Sequence, residues 1–312
     1  MGLVISDLEQ PGISEEERAS RKVWIDRTKS NDEWAKKIFQ KCGVLITSHR
    51  GNLPFIRACI ESHKKLGLWI TFAYDNYIDP TWPAVDHNAM LPPKDAMEGI
   101  DLFLMPHHQV WGGVLYPWFW LMKWGVSSME QFEYIYCTNG DFVLEKPENF
   151  PQLFDLLGDA DIMSYGPSTE TAESTCFIAK TSSLKAIMKH YQDHFIPWDV
   201  YEKYTQEFGN AEGRFARAIK DLGLRVKRVE PGRCPTHMQC EQLHQPGHGT
   251  WYDIVGFRHI HGELGYAYRY KGVPPPLKYL DERYTSSNDL SAIKKYEETG
   301  DLKVLAGWWA KE

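Results

Sequence analysis

Three consecutive segments decide the fold class: GVLITSH (43–49), RGNLPFIRACIESHKKLG (50–67) and LWITFAYDNY (68–77). Short apolar runs that end in polar residues, here 43–49 and 68–77, are typical of buried strands. Between them apolar residues recur at helical spacing, and Gly67 marks a helix end. Strand, helix and strand in succession predict a βαβ unit with a right-handed crossover, so both strands are expected to lie parallel in one sheet.

The alternation of strand and helix patterns continues along the chain. Further apolar runs predict strands at 101–105, 133–137, 161–165, 176–179 and 224–229, with helical patterns between several of them. The predicted fold class is therefore α/β, a twisted and mainly parallel sheet flanked by helices. Such a sheet binds its ligands at the carboxyl ends of its strands.

Composition divides the chain into three expected parts. Residues 1–42 form an N-terminal arm and helix, 43–272 the main α/β domain, and 273–312 a C-terminal arm with one charged helix. Within the main domain, 231–275 is dense in Gly, Pro, His and Cys. A loop of that length inside a compact domain is usually functional, so it is expected to shape a binding site.

Charge and hydropathy exclude several classes of protein. The 312 residues carry 42 acidic and 35 basic side chains, a formal charge of −7, so the chain is not a uniformly basic coat for nucleic acid. A run of ~18 apolar residues, the length that spans a membrane, is absent from the sequence. The first residues lack a secretory pattern and the six cysteines are expected to stay reduced, so the predicted location is the cytoplasm.

Polar residues stand at the carboxyl ends of the first two predicted strands. Thr47, Ser48, His49 and Arg50 lead from a strand into a helix, where hydroxyls and a cation suit a nucleotide or phosphate. Asp75 ends the next strand, where a carboxylate can accept hydrogen bonds from a ribose hydroxyl or a base. An ordinary helix cap and an ordinary turn are the alternative interpretations of the two patterns.

Two further motifs carry side chains suited to a metal ion. Asn139, Gly140 and Asp141 follow an apolar strand, and an extended segment would aim the amide and the carboxylate the same way. Gly140 would permit close approach of a bound group, although an Asn-Gly turn is the alternative. In FRHIHGE, His259 and His261 share one face of an extended segment. Mg²⁺ and Mn²⁺ prefer oxygen ligands and share them with substrate phosphates, so a site combining Asp141 with these imidazoles is predicted.

A third array invites comparison with zinc sites. Cys234, His237, Cys240 and His244 have short spacings that tetrahedral zinc accepts. They lack a C-x-x-C pair, which argues against a zinc site.

Four motifs, taken in chain order, resemble those of the GT-A family of nucleotide-sugar glycosyltransferases: VLITSHRG, AYDN, the D-x-D-like NGD and a late H-x-x-G. The resemblance covers roughly residues 43–270. The resemblance implies a GT-A, Rossmann-like mixed sheet with a Gly/His-rich acceptor loop, a catalytic domain over 43–272 and a C-terminal arm. It also implies a hexosyltransferase that uses Mn²⁺ or Mg²⁺ and a UDP-sugar, glucose being favoured.

The same resemblance implies roles for individual residues. The metal ligands are Asp141, His259 and His261. The candidate general base is Glu212, because the family often places an acidic residue at the start of a helix. The donor nucleotide sugar is bound by a larger set: Thr47, Ser48, His49, Arg50, Asp75, Asn139, Gly140 and Asp141. The family usually has aspartate where this chain has Asn139, so the metal site would carry one negative charge fewer.

Several stretches, among them KYTQEFGNAEGRFARAIKDLG and GTWYDIVGFRHIHGE, resemble glycosyltransferase-like proteins of bacteriophages. This resemblance implies 5-hydroxymethylcytosine in double-stranded DNA as the acceptor, flipped from the duplex. Local basic stretches could contact DNA, although the net charge opposes binding. They are Arg57, Lys64, Lys65, Arg214, Arg217, Lys220, Arg225, Lys227, Arg228, Arg269 and Lys271.

Other functions fit the same residues. A transferase could act on a saccharide, lipid-linked or protein acceptor. A non-catalytic nucleotide-sugar binder would explain Asn139 in place of aspartate. A nicotinamide dehydrogenase is disfavoured because the sequence lacks G-x-G-x-x-G.

Overall fold

The computed structural model describes residues 32–75, 91–105, 115–164, 176–194, 211–227, 250–260 and 277–305. The helices there are α1 (Asp32–Phe39), α2 (Leu53–Lys64), α3 (Leu115–Ser127), α4 (Gln152–Leu157), α5 (Thr181–His194), α6 (Ala211–Asp221), α7 (Thr250–Val255) and α8 (Ser287–Thr299). Short 3₁₀ helices cover Arg50–Asn52, Pro147–Asn149, Leu277–Tyr279 and Leu302–Leu305. The strands are β1 (Cys42–His49), β2 (Ile70–Asp75), β3 (Leu102–Leu104), β4 (Tyr134–Asn139), β5 (Phe142–Leu144), β6 (Ile162–Ser164), β7 (Phe177–Lys180), β8 (Val226–Lys227) and β9 (Phe257–His259).

Seven of the described strands form one sheet in the order β3-β2-β1-β4-β7-β6-β8. All pairs are parallel except those of β7, which runs against both β4 and β6. The predicted mainly parallel α/β sheet is therefore confirmed. The strand order reverses direction between β1 and β4, and such a reversal opens a crevice at the carboxyl ends of the two strands.

Alternating side chains of the central strands bury both faces of the sheet. Val44 and Ile46 of β1 pack on the α2 side, whereas Leu45 packs on the α3 and α5 side, and all three are 0% exposed. Burial on both faces explains why β1 is a continuous apolar run, as is usual for parallel strands covered by helices.

A two-stranded antiparallel sheet of β5 and β9 lies outside the main sheet. Its three residue pairs join Phe142 to His259, Val143 to Arg258 and Leu144 to Phe257. The sequence patterns did not predict this pair, because strands of three residues are too short to show a period.

The C-terminal segment 277–305 packs against this small sheet and against α2. Tyr279, Leu280 and Ile293 form a buried cluster with Phe55 of α2 and Val143 of β5. Asp281 accepts a hydrogen bond at 3.2 Å from Nε of Arg57, also on α2. The segment thus contacts both elements that border the carboxyl end of the main sheet.

Within the described ranges, every helix is too short or too polar to cross a membrane.

Candidate functional site

The ends of β1, β2 and β4 bring together most of the polar residues singled out in the sequence. In the strand register Thr47 lies beside Asn139 of β4, and His49 lies beside Asp75 of β2. Thr47 is 4% and Asp75 is 7% exposed. These side chains lie at the carboxyl ends of β1, β2 and β4, the edge at which an open α/β sheet binds its ligand.

Thr47 and Asn139 are joined directly. The hydroxyl of Thr47 donates to Oδ1 of Asn139 at 2.7 Å, across 92 residues of sequence. The contact turns the amide oxygen toward β1. Because β4 ends at Asn139 and a turn covers Gly140 and Asp141, the segment is not extended. The alternative interpretation, a turn, is therefore the one that the structure shows, and within it Asn139 contacts Thr47 whereas Asp141 contacts His259.

Gly140 is required by a neighbour within the chain. A Cβ atom at Gly140 would lie 2.2 Å from Oγ and 2.8 Å from Cβ of Ser48. The backbone N–H of Gly140 donates to the carbonyl of Thr47 at 2.9 Å, which holds the turn against β1. We expected a bound group to approach Gly140 closely, and in the structure the side chain of Ser48 occupies that position.

Ser48 itself is buried at this turn. Its side chain is 1% exposed, and its hydroxyl has no hydrogen-bond partner within the described part of the chain. Asn52, at the start of α2, is 2% exposed, and its side-chain amide nitrogen likewise has no hydrogen-bond partner among the described residues. Buried polar groups normally have a hydrogen-bond partner, so these two groups are suited to a bound ligand.

Asp141 and His259 form the central contact of the site. Nε2 of His259 lies 3.1 Å from Oδ2 of Asp141, although 118 residues separate them in sequence. Asp141 is 4% exposed, whereas the His259 side chain is 23% exposed. A carboxylate and an imidazole nitrogen facing one another can form an ion pair or share a divalent cation.

Strand pairing places His259 at this distance. The imidazole stacks on the ring of Phe142 with centroids 4.4 Å apart. The N–H of Ile260, directly after β9, donates to the carbonyl of Asp141 at 2.9 Å. The ring stacking and the backbone bond together fix the imidazole relative to the carboxylate.

His49 and Arg50 have contacts within the turn. His49 is exposed, and its Nδ1 accepts a hydrogen bond at 3.0 Å from the backbone N–H of Gly51, so it caps the 3₁₀ helix that follows. Arg50 lies close enough to the buried Tyr74 for its charge to act on that hydroxyl, although burial raises the pKa of Tyr74 overall. The guanidinium thus borders the end of β2.

A buried polar network lies beneath the site and was not predicted from the sequence. Ser62 donates to the carbonyl of Cys59 at 2.8 Å, and its hydroxyl accepts at 3.2 Å from the N–H of Leu144 in β5. His63 contacts the same Cys59 carbonyl through Nδ1 at 2.7 Å and the Tyr136 hydroxyl through Nε2 at 3.1 Å. Only the i, i+4 spacing of Cys59 and His63 on a helix signals this network in the sequence.

The thiol of Cys59 connects the network to the site. It donates to the carbonyl of Asn139 at 3.6 Å. Burial, reinforced by the negative charge of Asp141, raises the pKa of the Cys59 thiol well above its usual value. The thiol is therefore neutral and serves as a packing and hydrogen-bonding group under the turn.

His63 gives the fold a pH dependence. Complete burial lowers the pKa of His63 from 6.5 to about 4. The unfolded chain binds a proton at this residue below its normal pKa, whereas the folded chain does not, so acid favours unfolding. We expect the free energy of unfolding to fall by roughly 3 kcal/mol between the two pKa values, measured by urea unfolding across that range.

One variant isolates the contribution of His63. His63→Gln is expected to lower stability at neutral pH and to remove most of the loss between the two pKa values. A slope equal to that of the parent chain would contradict the assignment.

The remaining predicted site residues are not placed. Glu212 belongs to the first turn of α6, but its side chain is outside the described residues. His261 and the array Cys234, His237, Cys240 and His244 also lie outside them. Among the residues that are described, no three His, Cys, Asp or Glu side chains cluster as a metal site.

No protein-family model and no curated protein sequence matches the chain. Among solved structures, the mannosyltransferase PcManGT from Pyrobaculum calidifontis, in complex with GDP-Man and Mn²⁺, aligns at 12% identity with a TM-score of 0.40, covering 93% of this chain and 88% of its own. A glycosyltransferase involved in the glycosylation of the major capsid of PBCV-1 aligns at 8% identity with a TM-score of 0.28, covering 60% and 94%. Both neighbours are glycosyltransferases.

Proposed function

We propose that the chain is a metal-dependent glycosyltransferase that moves a sugar from a nucleotide-sugar donor to an acceptor hydroxyl. The observation that supports this most is the 3.1 Å contact between Asp141 and His259. It lies next to the turn that Gly140 holds against Thr47, at the crevice of the sheet. A buried carboxylate and an imidazole at the carboxyl ends of the strands suit transfer of a group from a diphosphate.

The donor set at Asp141 and His259 fits Mn²⁺ or Mg²⁺. Oδ2 of Asp141 and Nε2 of His259 face each other and would hold the ion, with donor phosphate oxygens and water as the other ligands. When bound, the ion would neutralise charge on the departing nucleoside diphosphate. Outside the described residues, His261 stays a proposed third protein ligand.

The crevice residues of β1 and β2 would bind the nucleotide part of the donor. The buried hydroxyl of Ser48 could bond to a ribose or phosphate oxygen, and Asp75 could accept from a ribose hydroxyl. Thr47 holds Asn139 in place, so Asn139 would contact the donor through its amide nitrogen. We propose UDP-glucose as the donor, as the sequence resemblance implies.

Nucleotide release tests the proposal. The full chain is incubated with UDP-glucose, other UDP-sugars and GDP-mannose, with and without Mn²⁺, and free nucleoside diphosphate is measured. Release that depends on Mn²⁺ and rises with acceptor supports a transferase. If a nucleotide sugar stabilises the chain but no diphosphate is released, the chain is a binding protein. That result would overturn the proposal that it is an enzyme.

The proposed acceptor is 5-hydroxymethylcytosine in duplex DNA, and the structure reduces its electrostatic support. Arg57 is paired with Asp95 and Asp281, Arg225 is paired with Asp159 and Asp161, and Arg214 is 1% exposed. Arg217 is likewise paired, with Asp221. Of the basic residues named from the sequence, the remaining described candidates for phosphate contacts are exposed lysines: Lys64, Lys65, Lys220 and Lys227.

Nucleoside mass spectrometry of hydroxymethylated DNA after incubation with the donor panel tests this acceptor. Glucosylated nucleoside, and duplex binding that weakens with salt, support it. If sugar is transferred only to saccharide or protein acceptors in the same panel, one of these is the acceptor and the proposed DNA acceptor is wrong.

Glu212 remains the proposed general base, since an acceptor hydroxyl must lose its proton as it attacks the anomeric carbon in an inverting reaction. We expect Glu212→Gln to lower turnover by at least about 10²-fold while donor binding is retained. The checks are steady-state transfer and the thermal shift caused by donor. Near-normal turnover would remove Glu212 from the mechanism.

A further inference from the structure

The small sheet of β5 and β9 has two faces with different partners. Side chains alternate along a strand, so His259 and Arg258 point to opposite faces. His259 stacks on Phe142 and contacts Asp141 on the site face. Arg258, 9% exposed, lies on the face that packs against the C-terminal segment.

Glu145 contacts both Arg258 and Tyr279 on the face that packs against the C-terminal segment. It directly follows β5, and its Oε1 accepts from Nη1 of Arg258 at 3.0 Å and from the hydroxyl of Tyr279. The Arg258 guanidinium also lies over the Tyr279 ring, 5.3 Å from its centroid. Although burial opposes the charged form, the bonds from Tyr279 and Arg258 lower the pKa of Glu145, so the carboxylate is ionised.

Backbone contacts draw β9 to the same residue. The N–H of Glu145 donates to the carbonyl of Gly256 at 3.1 Å. Gly256 has a φ of +59°, and a Cβ there would lie 2.7 Å from Cβ of Glu145. The start of β9 is therefore packed directly on Glu145, and a shift of Glu145 would shift the strand that carries His259.

Tyr279 belongs to the C-terminal segment, and contacts between that segment and α2 hold it in place. Two residues later, the N–H of Asp281 donates to the carbonyl of Pro54 at 2.7 Å, and its carboxylate pairs with Arg57. Both partners belong to α2, which begins just after the turn at the end of β1. The segment thus links the β1 end of the site to the β9 end.

We propose that Tyr279 and Glu145 are positioning residues: through Arg258 and the start of β9, they set the place of His259 against Asp141. The inference rests on the proposed function only in assigning a metal to that pair. It gives the C-terminal segment a part in the site although it supplies no group that contacts substrate.

Tyr279→Phe tests the proposal because it deletes the hydroxyl that bonds Glu145 and keeps the ring under Arg258. Amide hydrogen exchange of Ile260, which donates to the Asp141 carbonyl, is measured without metal or nucleotide. We expect faster exchange at Ile260. With donor and acceptor present, we expect the Mn²⁺ concentration for half-maximal rate to rise by about 10-fold, with little change in the rate at saturating Mn²⁺.

Tyr296→Phe is the matched control, because Tyr296 is a half-buried tyrosine of α8 that packs on the same cluster. It should change neither readout. Glu145→Gln, which keeps the oxygen acceptor and removes the charge, provides a second variant should Tyr279→Phe fold poorly, and the same two changes are expected.

The two readouts also separate this inference from the proposed function. Faster exchange at Ile260 in a chain that transfers no sugar supports the positioning contact and overturns the transferase. Unchanged exchange at Ile260 together with an unchanged Mn²⁺ requirement in a folded variant would overturn the positioning role while leaving the transferase intact.

Discussion

Replacing Asp141 by asparagine is expected to lower the rate of sugar transfer by at least about 10²-fold, the usual size of a lost electrostatic contact at a reaction centre. The side chain is 4% exposed and faces His259 at 3.1 Å. Asparagine is nearly the same size and can still bond to the imidazole, so the fold should be retained. The substitution removes the negative charge that would hold a divalent cation on the donor. Steady-state transfer measured against Mn²⁺ concentration checks this result.

Asn139→Asp is the matched variant, because it adds a charge two residues away on the same turn. The amide oxygen accepts from Thr47 at 2.7 Å, and a carboxylate oxygen can accept the same bond. We expect the Mn²⁺ requirement to fall in this variant and to rise in Asp141→Asn. Near-normal transfer by Asp141→Asn at low Mn²⁺ would contradict the proposed role of Asp141.

The second large effect is expected at Gly140, where alanine would collide with Ser48. The added Cβ would lie 2.2 Å from Oγ and 2.8 Å from Cβ of Ser48, closer than carbon and oxygen atoms can pack. Either β1 or the turn must move, and the bond from Gly140 to the Thr47 carbonyl would weaken. We expect Gly140→Ala to cost about 1–3 kcal/mol of unfolding free energy and to abolish donor binding. Urea unfolding and the thermal shift caused by donor measure the two effects.

A second substitution identifies the cause of that loss. Ser48→Gly removes both colliding atoms, so adding it to Gly140→Ala should restore at least half of the lost stability. The single Ser48→Gly chain is the reference, because a glycine inside a strand itself costs about 0.5–1 kcal/mol. A double variant no more stable than Gly140→Ala would show that the collision with Ser48 is not the cause.

The main sheet was predictable because its strands are long apolar runs with covered faces. Cys42–His49 and Ile70–Asp75 lie within one residue or two of the bounds that the apolar runs indicate. Their parallel pairing follows from the intervening helix, and the meeting of Thr47, Asp75 and Asn139 at one edge follows from that pairing. An Asn-Gly turn was one of two interpretations of residues 139–141, and the choice between them was not predictable, since the close neighbour of Gly140 is Ser48, on another strand.

By itself, the sequence determined the α/β class, the order of the main elements and the residue types at the strand ends, because local periodicity and turn residues encode them. Only the tertiary structure decided that Asn139 contacts Thr47 while Asp141 contacts His259, and that Tyr279 reaches Glu145 across 134 residues. Those contacts depend on how buried surfaces pack together. Packing between segments so distant in the chain leaves no local pattern in the sequence.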